Sequence, residues 1–129
     1  MVNKVTLVGN LGADPDVRQT KSGIVCNLSV ATSHRQKDNA GEWRNATEWH
    51  KVIVFDRVAE NCQKYLSKGR QVYVEGRLQT RSYTGKDGVE RKATEIVANQ
   101  VKFLQNARED ERQVAVDKAI QKLDDEIPF

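Results

Sequence analysis

Residues 48–83 decide the fold, because they contain a strand, a helix and a second strand in direct succession. The first segment, "EWHKVIVF" (48–55), alternates with period two. The second, "RVAENCQKYLSKG" (57–69), repeats apolar residues every four positions and ends on glycine, which predicts a helix of about three turns. The third, "QVYVEGRLQTRSY" (71–83), alternates again and predicts a second strand.

Segments on both sides of this unit also have strand character. Residues 3–9 and 24–33 precede it, and residues 91–104 follow the turn "TGKDGVE". Residues 10–23 and the polar stretch 34–47 are interpreted as loops, the second of them a long hairpin loop. The chain is therefore predicted to be all-β: a five-stranded OB-fold barrel with one helix between strands 3 and 4. A split β-sheet packed on one helix is the alternative.

Length and charge indicate one domain with an appendage. Residues 1–104 hold 17 Lys+Arg against 11 Asp+Glu, a net charge of +6, whereas residues 105–129 hold 4 against 7, a net charge of −3. The basic body favours a polyanionic partner, and the acidic tail indicates a separate role. We expect an OB domain at 1–105, a short charged linker at 106–123 with the pattern of an amphipathic helix, and an acidic tip at 124–129.

Several classes of protein are disfavoured by the sequence. There is no apolar run of about 18 residues and no signal peptide pattern, so a cytoplasmic protein without membrane attachment is expected. The cysteines Cys26 and Cys62 are interpreted as buried apolar residues. The two histidines lie in no His/Cys cluster, so neither a metal site nor another cofactor is predicted. No catalytic motif is present, and an enzyme is not expected.

The feature that favours a function is a basic surface with aromatic residues among the charges. Trp49, Lys51 and Phe55 share one strand face, while Arg77, Arg81 and Tyr83 share another that runs toward a basic loop. Cations attract phosphates, and flat rings stack on unpaired bases. The wider candidate set adds Arg35 and Trp43 for stacking and three loop cations for phosphate contact: Lys86, Arg91 and Lys92. Each aromatic alone could equally be a packing residue, so the prediction depends on their coincidence.

The chain resembles bacterial single-stranded-DNA-binding proteins. The resemblance is carried by "VNKVTLVGNLGADPDVR", "TEWHKVIVFDRVAE", "YLSKGRQVYVEGRLQTRSY" and the final "DDEIPF", in that order. It implies an OB-fold homotetramer, nucleoid-associated, that binds single-stranded DNA without sequence preference during replication, recombination and repair. Three of the four stacking positions of that family correspond to Trp49, Phe55 and Tyr83. The fourth aligns with Arg35, and Trp43 lies across the same loop.

The resemblance also implies roles outside the DNA-binding face. His50, Gln71 and Tyr73 correspond to positions at subunit interfaces. The tip, which consists of Asp124, Asp125, Glu126, Ile127, Pro128 and Phe129, corresponds to a docking peptide for replication, repair and recombination proteins. The linker departs from the family pattern, because it is short and charged instead of long and rich in Gly, Gln and Pro. An OB-fold protein–protein adaptor of a replication-restart or phage complex, with secondary DNA contact, is the alternative function.

Overall fold

The structure, a computed structural model, describes residues 1–104 and, beyond them, only Lys118, Ala119 and Lys122, which are helical. The rest of the predicted linker and the whole acidic tip lie outside the described residues, so the domain boundaries expected there stay predictions. Within residues 1–104 the chain forms six strands and one helix. In chain order these are β1 (Val5–Leu11), β2 (Asp16–Thr20), β3 (Gly23–Lys37), β4 (Trp43–Phe55), α1 (Asp56–Tyr65), β5 (Gln71–Thr84) and β6 (Glu90–Leu104).

Five of the strands close into a barrel. The sheet order is β1-β5-β6-β4-β3-β2, and β1 pairs with β3 as well as with β5, which closes the barrel and leaves β2 outside it as an edge strand. All neighbouring strands are antiparallel except β4 and β6, which are parallel. This closure confirms the predicted five-stranded OB-fold and excludes the split sheet.

Closure of the barrel depends on a small residue in β1. A Cβ atom on Gly9 would overlap the backbone oxygen of Ala31 in β3 and would come within 2.9 Å of the Val30 side chain. Glycine therefore lets β1 approach β3 closely while it stays paired with β5. The same strand continues to Leu11, which is buried in the core and is paired with Val30.

The strand β2 was not predicted. Because it adds one strand before the helix, the helix follows the fourth strand and not the third. Residues 16–20 pair with β3 at the edge of the sheet, from Asp16 opposite Asn27 to Thr20 opposite Gly23. Only Val17 of this strand is partly buried. An exposed edge strand lacks apolar alternation, because pairing with its neighbour and not burial holds it in place. The helix thus lies between β4 and β5.

The predicted hairpin loop at 34–47 is mostly strand. β3 continues to Lys37 and β4 begins at Trp43, so only residues 38–42 form the turn. The carboxylate of Asp38 accepts hydrogen bonds from the backbone N–H groups of Ala40 and Glu42, each at 2.9 Å. Gly41 takes the positive φ of +79° that the turn needs. These bonds close a short turn at the end of the two strands. They also hold the pKa of Asp38 below its usual value, and the Glu42 N–H has the largest effect.

The core lies inside the barrel and under α1. It is built mainly from alternate residues of β3, β4 and β5 together with one face of the helix. Both cysteines belong to it and carry free thiols, as the sequence predicted. Burial raises the pKa of Cys26 to about 11 and that of Cys62 to about 12, so both stay protonated and unreactive near neutral pH.

Candidate nucleic-acid interface

The two predicted strand faces form one surface, because β6 lies between β4 and β5. Val52 of β4 is paired with Ile96 of β6, which places Lys51 beside Glu95. On the other side Gln79 of β5 is opposite Glu95. Side chains two residues apart share a face, so the outward residues of all three strands are continuous. We call this the aromatic–basic surface; its members are Trp49, Lys51, Phe55, Arg77, Arg81, Tyr83 and the buried Glu95.

Three aromatic rings on this surface are open to solvent. The exposed fractions are 61% for Trp49, 45% for Phe55 and 44% for Tyr83. A soluble domain rarely leaves several large rings exposed on one face without a partner for them. Their spacing over β4 and β5, with cations between them, provides flat platforms for unpaired bases and charges for the phosphates of the same strand.

The ring of Trp49 rests on the backbone of Gly12, which follows β1. A Cβ atom at Gly12 would lie 2.7 Å from Cη2 of the indole and closer still to Cζ3. Gly12 is itself held in place, because its N–H donates to the carbonyl oxygen of Ser29 at 2.9 Å. The absence of a side chain at Gly12 thus lets the indole lie against the backbone while 61% of Trp49 remains exposed. The sequence analysis placed this glycine only within the loop predicted at residues 10–23.

The centre of the surface is a buried ion cluster. The side chain of Glu95 has no exposed area, whereas those of Lys51 and Arg81 are 48% and 55% exposed. Lys51 Nζ lies 3.2 Å and Arg81 Nη2 3.0 Å from the same oxygen, Oε1. Neither contact has the alignment of a hydrogen bond, and Oε2 has no hydrogen-bond donor among the described residues. Two of the predicted phosphate ligands are therefore held by an anion that the sequence analysis did not single out.

The arm formed by β3 and β4 carries the two other stacking candidates. Arg35 lies 5.7 Å and Lys37 5.6 Å from the centre of the Trp43 ring, within the range of cation–π contact. Trp43 is 59% exposed. At the turn, Arg44 Nε donates to the Asp38 carboxylate at 2.7 Å. The arm thus combines an exposed ring with two cations and brings Arg35 close to Trp43.

The hairpin between β5 and β6 holds the basic loop candidates. Arg91 is opposite Tyr83 in the ladder, and its guanidinium pairs with the carboxylate of Asp87 at 2.6 Å. Lys92 is opposite Ser82, so alternation places it on the other face of the hairpin from Tyr83. Lys86 lies exposed in the turn. Of these cations, Arg91 is the one whose ladder position continues the aromatic–basic surface.

The edge strand β2 adds residues that sequence reasoning missed. Arg18 is opposite Val25, which in turn is opposite Phe55, so these side chains share a face. Arg18 is 73% exposed and lies 3.6 Å from the carboxylate of Asp16. Because β2 itself was not predicted, no periodicity placed this cation next to Phe55.

The residues predicted at a subunit interface fall in two places. Gln71 and Tyr73 lie on β5, opposite Asn10 and Val8 of β1. His50 lies on β4, where its Nε2 is 2.8 Å from the hydroxyl of Thr32. No contact among the described residues joins His50 to Tyr73.

Tyr73 belongs to a second group of charged and aromatic side chains, the Tyr73 cluster, made of Lys4, Tyr73, Glu75 and Lys102. The Tyr73 hydroxyl donates to Glu75 at 3.0 Å, Lys4 pairs with the same carboxylate at 3.3 Å, and Lys102 lies 5.9 Å from the ring centre. The hydrogen bond to Glu75 raises the pKa of Tyr73. The same bond, followed by Lys4, lowers the pKa of Glu75.

The described residues offer no site for a metal ion and no helix that could span a membrane. In residues 1–104 and the three helical positions beyond them, no group of three His, Cys, Asp or Glu side chains could hold a metal ion. In the same part of the chain, no helix has the length and apolar character that a membrane span requires. The docking residues predicted at 124–129 lie outside this part.

The barrel and its exposed surface together indicate a class of protein. A closed OB barrel is a fold that binds oligonucleotides and oligosaccharides, and exposed rings among cations favour the first kind of ligand. Residues 2–104 match the model of the "Single-strand binding protein family". This chain therefore belongs to the single-strand binding protein family.

Relatives and solved structures agree with this assignment. The chain is 51% identical over 104 residues to a "Single-stranded DNA-binding protein" of Neisseria meningitidis serogroup A and 49% identical to one of Xanthomonas campestris pv. campestris. Each match covers 80% of this chain and 60% of the relative, so the chain spans less than two thirds of their length.

Two solved structures are similar in fold. The SSB of Plasmodium falciparum in complex with ssDNA has a TM-score of 0.74 at 34% identity, covering 81% of this chain and 97% of that one. A deletion mutant of the single-stranded DNA binding protein from Thermus aquaticus has a TM-score of 0.71 at 33% identity, covering 82% of this chain and 52% of that one.

Proposed function

We propose that this protein binds single-stranded DNA, without sequence preference, across the aromatic–basic surface. The observation that carries the proposal is the presence of three exposed rings, Trp49, Phe55 and Tyr83, on one continuous face with cations between them. Every base has a π-face, so stacking accepts any sequence, and Lys and Arg contacts to phosphates carry no base information. The relatives named for single-stranded DNA binding support the same conclusion.

In this proposal each ring takes one unpaired base and the cations follow the backbone between them. Trp49 stacks from its Gly12 support, Phe55 and Tyr83 stack farther along, and Arg77 and Arg81 contact phosphates. The arm carrying Arg35 and Trp43 extends the path beyond Trp49. Duplex DNA keeps its bases stacked internally, so these rings gain nothing from it. The proposed activity is binding and protection of the strand, not catalysis.

Fluorescence titration with oligo(dT) tests this proposal. Both tryptophans lie on the proposed path, so a Trp43→Phe variant isolates the signal of Trp49. We expect the tryptophan emission to be quenched on binding. The logarithm of the affinity should fall linearly with the logarithm of the salt concentration, with a slope of about 0.7 per phosphate contacted. A duplex of equal length is the control and should bind more weakly. Unchanged emission together with salt-insensitive binding would reject the proposal.

The cellular setting and the recruitment of partner proteins are also proposals. We propose that the protein acts in the cytoplasm on nucleoid strands exposed by replication, recombination and repair. Recruitment of partner proteins falls to the acidic tip, where the Phe129 ring suits an apolar pocket and the carboxylates of Asp124, Asp125 and Glu126 suit a basic rim. Removal of residues 124–129 should abolish such recruitment and leave DNA affinity intact or slightly higher, because an acidic segment competes with DNA for a basic surface. A large loss of DNA affinity on that truncation would contradict this role.

We also propose assembly as a homotetramer. The support is the outer face of β1 and β5, where Val8 is half exposed beside Tyr73. Sedimentation of the chain alone and with DNA reports the subunit number and the strand occupancy together. A monomer at micromolar concentration would remove this part of the proposal.

A further inference from the structure

The buried ion cluster at the centre of the aromatic–basic surface contains a carboxylate, Glu95, which phosphate binding does not require. Cations that contact phosphates in solution are normally solvated before the strand arrives. Here Lys51 and Arg81 both converge on Oε1 of one carboxylate that has no exposed area. Glu95 is among the residues that line a groove of about 510 Å³, whose other lining residues come from β2, β3, β4 and β5.

The strand register explains how these three side chains meet. Glu95 lies on the middle strand β6, directly beside Lys51 of β4 in the parallel ladder. On the other side it faces Gln79 of β5, and Arg81 is the diagonal neighbour on the same face. Diagonal side chains are within reach of each other when they are long, so Arg81 can extend back over Glu95. The strand register therefore places the carboxylate beneath two half-exposed cationic groups.

The cluster also lacks the features of a stabilising buried ion pair. A buried charge is compensated well only when hydrogen bonds satisfy its remaining lone pairs. In the described part of the chain, neither oxygen of Glu95 receives a well-aligned hydrogen bond. The two cations, by contrast, are about half exposed and can turn toward solvent. An anion under two movable cations resembles a phosphate in its charge and in its ligands.

We propose that Glu95 is a built-in anionic competitor for DNA phosphates. It occupies Lys51 and Arg81 when no strand is bound and cancels one of their two charges, so that the cluster contributes one net positive charge to phosphate binding. The consequence is a lower affinity than the cations alone would give, which favours release of the strand when it must be used. This inference rests on the proposed function, and Glu95 acts through Lys51 and Arg81 without touching the DNA.

The test is the Glu95→Gln substitution in the full chain, assayed with oligo(dT) over a range of salt concentrations. The variant keeps the side-chain shape and removes the charge, so one more phosphate contact becomes available. Each phosphate contact with single-stranded DNA adds about 0.7 to the slope of log affinity against log salt concentration. One added contact corresponds to about fivefold tighter binding at 0.1 M salt. Thermal unfolding of the variant checks that the barrel remains intact.

Two matched variants test whether the effect comes from the charge of Glu95. One changes the shape of the Glu95 side chain, and the other changes the net charge of the protein at a different site. Glu95→Asp keeps the charge but shortens the side chain, and it should retain the salt slope of the parent. Glu60→Gln removes an exposed carboxylate of α1, outside the surface, and should leave both slope and affinity unchanged. Equal slopes for Glu95→Gln and parent, or weaker binding by a folded Glu95→Gln, would overturn the inference. A parent chain that does not bind oligo(dT) would instead reject the proposed function itself.

Discussion

The aromatic–basic surface and the Tyr73 cluster both combine aromatic rings with Lys or Arg that are paired with a carboxylate, yet their rings are in opposite states. In the Tyr73 cluster the hydroxyl, the ring and the carboxylate each have a partner within the chain. On the aromatic–basic surface the Trp49, Phe55 and Tyr83 rings are exposed. The comparison teaches that composition alone does not mark a nucleic-acid site. What distinguishes the proposed site is that its three rings remain exposed to solvent.

The largest effect should come from truncating the exposed rings. Trp49→Ala, Phe55→Ala and Tyr83→Ala should each weaken oligo(dT) binding by ~1–3 kcal/mol, roughly 5- to 150-fold, because each removes one stacking platform. The measurement is a titration at one fixed salt concentration, with thermal unfolding as a check on the fold.

Two controls show whether the loss depends on the surface. Tyr73→Phe removes a hydroxyl that is already bonded to Glu75 and should not change DNA affinity. Tyr65→Ala truncates a ring of α1 that is 63% exposed but lies off the surface, and it should have the same null effect. If Tyr65→Ala cost as much as Trp49→Ala, exposure itself and not position would explain the losses.

A smaller effect is expected from Gly12→Ala. The added methyl group would displace the Trp49 ring from its support, and an off-rotamer side chain costs ~0.5–1.5 kcal/mol. DNA affinity should therefore fall by roughly 2- to 10-fold, read from the same titration.

The control for this prediction is the double variant. In a Trp49→Ala background the Gly12→Ala substitution should cost no further affinity, because no ring remains to be displaced. An equal loss in both backgrounds would show that Gly12 acts through the backbone and not through the indole.

Much of this fold could be predicted because its strands alternate. Period two in β4 placed Trp49 and Phe55 on one strand face, and the structure exposes both of them there, whereas Val52 and Val54 on the other face are buried. The edge strand β2 could not be predicted, since pairing with β3 and not burial defines it. The arm at residues 34–47 was missed for a related reason: its strands are polar and are held by cross-strand pairing and by the bonds to Asp38.

The site was predictable within each strand but not across strands. Alternation groups residues of one strand, whereas the neighbourhood of Lys51 and Arg81 depends on the register of β6 between β4 and β5. That register is set by contacts far apart in sequence. Glu95 therefore looked like one more acidic residue in a strand, and only the assembled sheet places it beneath the two cations.

The smallest effect concerns the Tyr73 cluster, where Glu75→Gln should change acid stability and not DNA affinity. The pKa of Glu75 is held below its usual 4.5, first by the Tyr73 hydroxyl and then by Lys4. A lowered carboxyl pKa stabilises the fold above the unfolded value, and that contribution disappears as pH falls through the folded pKa. The melting temperature of the parent should therefore exceed that of the variant at neutral pH, with the gap closing below about pH 4.5. A gap that stayed constant across this range would mean that packing and not charge sets the difference. A change in oligo(dT) affinity would mean that the two regions are not separate.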